Sequence, residues 1–141
     1  MNILVTGGAG YIGSHTVHAL RNKGYGLVVL DNLSKGHVQA VPDDIPLIQG
    51  DIRDRTLLER TLTEYAVQAV VHFAADSLVG ESMAKPSLYY HNNVAATLAL
   101  LDGMRGAGVS RIVFSSTAAV YGEPERQPIT EDMPTAPTNV Y

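Results

Sequence analysis

The chain has 141 residues, a formal net charge of −4 and no cysteine. A domain of this size buries roughly 70% of its unfolded surface, so it can build a core without disulfides, and thiol catalysis and thiolate-bound metals are excluded. The acidic balance, with ten Lys and Arg scattered along the chain, speaks against nucleic acid or an anionic membrane as partner, and no apolar run approaches a membrane span. The first apolar stretch has no basic region ahead of it and stops at a glycine turn, so it reads as a core strand; a cytoplasmic location is expected.

In chain order, apolar runs bounded by turn signals occupy residues 2–6, 26–31, 46–49, 69–74 and 111–116. They are rich in Val, Ile and Leu without clean alternation, as parallel strands buried on both faces are. Helical patterns lie between them: Tyr11 to Asn22 closed by Gly24, Asp54 to Tyr65, and Pro86 to Arg105 closed by Gly106 and Gly108. Proline suits a first helical turn and glycine a C-terminal cap. The alternation predicts an α/β fold, a doubly wound parallel sheet of the Rossmann type. Glu123 to Thr138 holds four of the seven prolines and is expected to be an extended loop.

The strongest signal is at the N-terminus. Asn2-Ile3-Leu4-Val5-Thr6 runs into Gly7-Gly8-Ala9-Gly10-Tyr11-Ile12-Gly13, a helical pattern follows, and an acid, Asp31, ends the second apolar run eighteen residues beyond Gly13. A Gly-x-Gly-x-x-Gly string alone is weak; strand, helix and acid together make it a dinucleotide-binding signature. Gly7 and Gly8 permit a tight turn, Gly10 lets backbone approach a pyrophosphate, and Gly13 lets the helix pack on the sheet. The phosphates would rest on the free N–H groups of the first helical turn. A carboxylate at Asp31 can accept both hydroxyls of an adenosine ribose and repels a 2′-phosphate, so NAD is expected over NADP.

Strand ends supply the remaining chemistry. Asp51 could accept from an adenine amino group while Ile52 covers the ring; an acid here more often caps the next helix. His72-Phe73-Ala74-Ala75 ends the fourth run, its alanines permitting close approach of a ligand. Ser115-Ser116-Thr117 ends the fifth, its hydroxyls able to bind a substrate hydroxyl or carbonyl. His15 and His18 lack a third ligand and read as a helical surface pair. His72 reads as a hydrogen-bonded core residue. Asn92-Asn93 is unfavourable inside a helix by propensity, which implies a task for one amide.

Read together, residues 6–15, Asp31-Asn32-Leu33, 50–54, 72–75, 79–82, 89–93 and 114–122 resemble the extended short-chain dehydrogenase/reductases. More narrowly they resemble the UDP-glucose (UDP-galactose) 4-epimerases, over the whole chain and in order. The resemblance implies that Tyr11 and Ile12 lie against the pyrophosphate and that Asp31, Asn32, Leu33, Ser34, Lys35 and Gly36 surround the ribose. It implies that Asp51 and Ile52 meet the adenine, that Phe73, Ala74, Ala75, Asp76 and Ser77 line the strand end, and that Asn93 holds the cofactor from the long helix. Ser77 stands where some members of the family have a lysine.

Thr117 falls on the family's Ser/Thr and Tyr141 on the tyrosine of its Tyr-x-x-x-Lys motif, the expected catalytic and substrate-binding pair. In such an enzyme the tyrosine takes the proton of the sugar 4-hydroxyl while hydride moves to NAD and returns on the opposite face. Ionising a phenol far below its usual value of about 10 requires nearby positive charge. By this reading residues 1–141 are an NAD-binding portion that stops before the lysine and the substrate domain, so the isolated chain is expected to be inactive while the intact protein epimerises a UDP-sugar as a homodimer. The rivals are an isolated nucleotide-binding module and a related dehydratase or decarboxylase. Dehydratases need an acid and a base just after the hydroxyl residue, where this chain has Ala118 and Ala119.

Overall fold

A computed structural model describes residues 1–141. Five parallel strands, β1 (Asn2–Thr6), β2 (Gly26–Asp31), β3 (Leu47–Gln49), β4 (Ala69–His72) and β5 (Ile112–Phe114), form one sheet in the order β3-β2-β1-β4-β5. The chain therefore winds outward from β1 in one direction and then crosses back to wind in the other. The switch point lies between β1 and β4, and the carboxyl ends of strands flanking such a point are where doubly wound sheets bind ligands.

The continuous apolar runs are explained by burial on both sides. Leu4, Val28, Leu30 and Val70 point to one face with Leu58, Leu62, Leu100 and Met104, whereas Ile3, Val5, Leu27 and Val29 point to the other with Val17 and Val41. Helix α1 (Tyr11–Asn22) covers the second face; α2 (Arg55–Glu64) and α5 (Ala96–Gly106) cover the first. Asp54 caps α2, its carboxylate accepting from the Leu57 N–H at 3.0 Å, and Gly24 and Gly108 take the left-handed φ of +78° and +72° that ends α1 and α5.

Three expected boundaries shift. The fourth strand ends at His72 rather than residue 74, because beyond Phe73 the backbone is drawn against Gly7 at the neck of the glycine-rich turn. The fifth is only three residues long, with one further ladder bond from Ser115 N–H to the His72 carbonyl. The long helix is not uniformly α: α4 (Pro86–Tyr89) passes through a π-wound turn over Tyr90–Ala95 before α5. A short helix, α3 (Val79–Ala84), precedes it. The proline-rich stretch after residue 122 is extended loop, as expected. No helix is long and apolar enough to cross a membrane.

Candidate functional site

A cleft opens at the switch point between the carboxyl ends of the strands. Gly7 and Gly10 of the first turn, Asp31, Asn32, Ser34, Lys35 and Gly36 after β2, Asp51 and Ile52 after β3, and Phe73, Ala74, Ala75 and Asp76 after β4 line it together with Leu30, Gly50 and Asn92. The residues singled out in four separate segments are thus brought to one groove.

Its floor is a bare backbone cradle. Gly7 has φ +70°, and a Cβ there would lie 2.6 Å from the Ala74 nitrogen. A Cβ on Gly13 would lie 2.1 Å from the Gly7 carbonyl oxygen, so α1 starts this close to the turn only without one. Gly10 differs: the one neighbour of its would-be Cβ is the Gly7 oxygen at 3.3 Å, and the space beyond is open. The N–H groups of Tyr11, Ile12 and Gly13 have no acceptor within the protein. Unpaired donors at a helix N-terminus, with the macrodipole behind them, form an anion site, and a pyrophosphate fits this donor set. The Tyr11 and Ile12 side chains are largely exposed and do not line the groove; what these residues add to the cradle is their backbone N–H groups.

Asp31 is buried and ties the cradle to the next loop. Its Oδ2 accepts from the Ala9 N–H at 3.0 Å and its Oδ1 from the Leu33 N–H at 2.8 Å. A carboxylate offers about four lone-pair sites, so two remain for a diol. Leu33 itself is left-handed at φ +58°, uncommon for a bulky residue; the Asp31 bond and packing of its side chain against the core on the α1 face of the sheet hold it there. Asp51 is engaged by its neighbour Arg53, through the backbone N–H at 2.9 Å and the guanidinium at 2.8 and 2.5 Å. That guanidinium holds the Asp51 carboxyl below its usual range and leaves about one lone pair for an amino group. The helix-capping role falls to Asp54 instead. Ile52 turns most of its side chain into the core.

On the opposite wall Lys35 reaches across the groove to Asp76 Oδ1 at 2.5 Å, with Glu81 Oε2 at 3.9 Å. The hydrogen bond to Asp76 raises the lysine above its ordinary value, opposed by partial desolvation. An ion pair this exposed adds little to stability, and its consequence is positional. Sequence spacing gave no signal for it, since the partners are forty-one residues apart. Asn93 grips the Asp76 backbone at both ends, Oδ1 accepting its N–H at 2.9 Å and Nδ2 donating to its carbonyl at 2.8 Å. Its neighbour Asn92 is the one that lines the cleft. The amide pair thus divides its work, one facing the groove and the other building its wall.

Thr117 follows β5 and caps a one-turn helix, its Oγ1 accepting from the Ala119 N–H at 3.1 Å; the hydroxyl hydrogen stays free to donate. Tyr141 packs edge-on against Tyr89 at 6.4 Å between ring centroids and donates its N–H to Ser82 Oγ at 3.2 Å. Of the expected site residues, Tyr11, Ile12, Gly13, Leu33, Ser77, Asn93, Thr117 and Tyr141 do not line the groove itself. His15 and His18 are exposed, and no cluster of three metal-ligating side chains exists.

A doubly wound sheet with a glycine-rich turn, an acid after β2 and an anion cradle at the switch point defines a nucleotide-binding α/β protein. Comparison with known proteins makes this narrower. The chain matches the family model of the NAD dependent epimerase/dehydratase family over residues 3–141, and it belongs to that family. It is 55% identical over its whole length to a UDP-glucose 4-epimerase of Corynebacterium glutamicum, of which it covers 42%. Among solved structures, a UDP-glucose 4-epimerase from Brucella ovis in complex with NAD superposes with a TM-score of 0.95 at 48% identity over 99% of this chain and 43% of that one. One from Bifidobacterium longum in complex with NAD+ and UDP gives 0.91 at 43% identity over 96% and 43%. The chain thus spans less than half the length of these relatives.

Proposed function

We propose that this chain is the cofactor-binding part of an NAD-dependent epimerase that inverts C4 of a UDP-hexose, interconverting UDP-glucose and UDP-galactose. The observation that carries the reading is the cradle: three unpaired N–H groups at the start of α1, next to a cleft lined by Gly7, Gly10 and Asp31, whose carboxylate has lone pairs to spare. Family membership and the NAD-bound relatives support it. Tyr11, Ile12 and Gly13 would hold the pyrophosphate by backbone N–H, Asp31 the adenosine ribose, and Asp51 the adenine amino group, while Ala74 and Ala75 leave room for the second half of the dinucleotide. When bound, NAD supplies a centre that accepts a hydride from the sugar and returns it.

The chain's own residues then have proton work to do. Thr117 would donate its free hydroxyl hydrogen to the oxygen on C4, and in the intact protein the Tyr141 hydroxyl would exchange the proton of that C4 hydroxyl. In the full-length protein UDP-glucose and UDP-galactose should interconvert without net consumption of NAD. Accumulation of NADH in proportion to turnover, or elimination of water from the sugar, would overturn the assignment. Ala118 and Ala119 favour epimerisation over dehydration, as no acid or base follows Thr117. Assembly belongs to the same reading: Tyr90, Val94, Leu98 and Leu101 form an exposed apolar stripe along the long helix, the face through which a homodimer would form.

Asp31 gives a direct test of cofactor choice. Asp31→Ala should weaken NAD by about 1.5–3 kcal/mol, the range for charge-assisted hydrogen bonds, while affinity for NADP rises or holds as repulsion of the 2′-phosphate is lost. Titration calorimetry of both cofactors against both proteins measures this; a wild-type chain that prefers NADP contradicts it.

A further inference from the structure

His72 is buried at 2% exposure beneath the cleft floor and makes two side-chain hydrogen bonds to hydroxyls. Thr6 Oγ1 lies 2.6 Å from its Nδ1, and Thr97 Oγ1 lies 3.1 Å from its Nε2. The Thr97 hydroxyl also lies 2.6 Å from the carbonyl oxygen of Asn93. Two oxygens this close need a hydrogen between them, and the carbonyl has none to give, so the Thr97 hydrogen goes to Asn93. Thr97 can then only accept from the imidazole. Nε2 therefore carries a ring hydrogen, and in the neutral ring Nδ1 is bare, so the Thr6 hydroxyl donates to it. Each hydrogen is used once and every bond points the same way, from β1 through β4 to the long helix.

The far end of this series is functional ground. Thr97 stands where the helix returns from π to α winding, and Asn93 lies inside the π-wound turn. Such turns are rare and gather at functional sites. Asn93 holds both backbone groups of Asp76, which lines the groove and receives Lys35 from the other side, and Asn92 of the same turn faces the cleft. We propose that His72 is a positioning residue of the cofactor site: as the neutral Nε2–H tautomer it fixes, through Thr97, the π-wound turn from which Asn93 sets the Asp76 wall and Asn92 enters the groove. Burial agrees with the neutral state, lowering the imidazole to about 4.

The consequence for cofactor affinity rests on the NAD reading above; the tautomer and the wall do not. Nitrogen-15 NMR of the wild-type chain at neutral pH should show His72 with a protonated Nε2 and a bare Nδ1, and the opposite tautomer or a doubly protonated ring would overturn the proposal without any variant. Thr97→Val keeps the shape and removes the hydroxyl. It should shift the Asp76 amide and the Asn93 side-chain amide and weaken NAD by about two- to thirtyfold, the range seen when a residue acts through its neighbours. Thr97→Ser should restore both.

The control is Thr61→Val, which deletes a similar hydroxyl-to-carbonyl bond, to Leu57 at 2.7 Å, at a buried position of α2 outside the cleft lining. It should leave the Asp76 and Asn93 signals and NAD affinity unchanged. Unmoved signals in Thr97→Val, or an equal loss of affinity in Thr61→Val, would sink the proposal. If wild type bound no NAD while Thr97→Val still moved the Asp76 and Asn93 signals, the cofactor reading would fall and the positioning claim would stand.

Discussion

Gly13→Ala is expected to destabilise the fold by about 3 kcal/mol and to abolish NAD binding. The added Cβ would sit 2.1 Å from the Gly7 oxygen and 2.8 Å from the Gly8 Cα. Both obstacles are backbone, so no side-chain rotation relieves them. Gly7 has little room to yield, since its φ is +70° and the Ala74 backbone lies where a Cβ on Gly7 would point. The helix must therefore lift from the turn, which uncovers Val17 and separates the N–H cradle from Asp31. Overpacking costs about 1–3 kcal/mol, occasionally more, and a clash between two backbone segments belongs at the upper end. That is a large part of the roughly 5–15 kcal/mol of a typical domain. Gly80→Ala serves as the control: its site in α3 has nothing within 4 Å, so the change should be neutral or slightly stabilising by helix propensity. Urea unfolding followed by circular dichroism decides the matter, and equal midpoints for Gly13→Ala and wild type would show that the turn is looser than its geometry implies.

The order of strands and helices was legible because burial on both faces leaves unbroken apolar runs such as Leu27-Val28-Val29-Leu30, and because turn residues bracket them. The cleft lining was legible wherever a strand end carries small or polar residues, as at Asp31, Asp51 and Ala74. What escaped depends on contacts distant in sequence. Nothing local marks Lys35 as the partner of Asp76, and nothing in Tyr90–Ala95 except the paired asparagines hints at π winding. That winding is sustained by a histidine on β4 and a threonine one turn later. The short α3 escaped for another reason: Val79-Gly80-Glu81-Ser82 lacks helical propensity, and what holds it is tertiary. Leu78 N–H donates to the Tyr89 hydroxyl at 3.0 Å, and that hydroxyl donates to Glu81 at 3.1 Å. Tyr141 stands apart from both cases, because only the family resemblance singled it out, whereas Thr117 also drew notice as a hydroxyl at a strand end.

Mild acid is expected to weaken the fold through His72. Burial lowers this imidazole from 6.5 to about 4, whereas in the unfolded chain it titrates at its ordinary value. The unfolded state therefore binds the proton first, and the stabilisation is present in full above pH 6.5. It declines as pH falls through the window down to about 4, by a total of about 3 kcal/mol at roughly 1.36 kcal/mol per unit. Carboxylates with lowered values act later. Asp44, Asp51 and Glu81 are held below their usual range by Arg21, Arg53 and Lys85 respectively, so their losses fall towards the acid end of that window and beyond it. Urea midpoints measured between pH 7.5 and 4.5 should therefore slope in wild type and flatten in His72→Gln. That variant should be the less stable of the two at neutral pH, where it lacks the imidazole's reach between Thr6 and Thr97, and should close the gap as acid removes the wild-type advantage. Parallel slopes in the two proteins would mean that His72 is protonated without cost in the folded state. In that case the ring would carry a hydrogen on Nδ1 as well, and the one-way order of bonds from Thr6 to Asn93 would be lost with it.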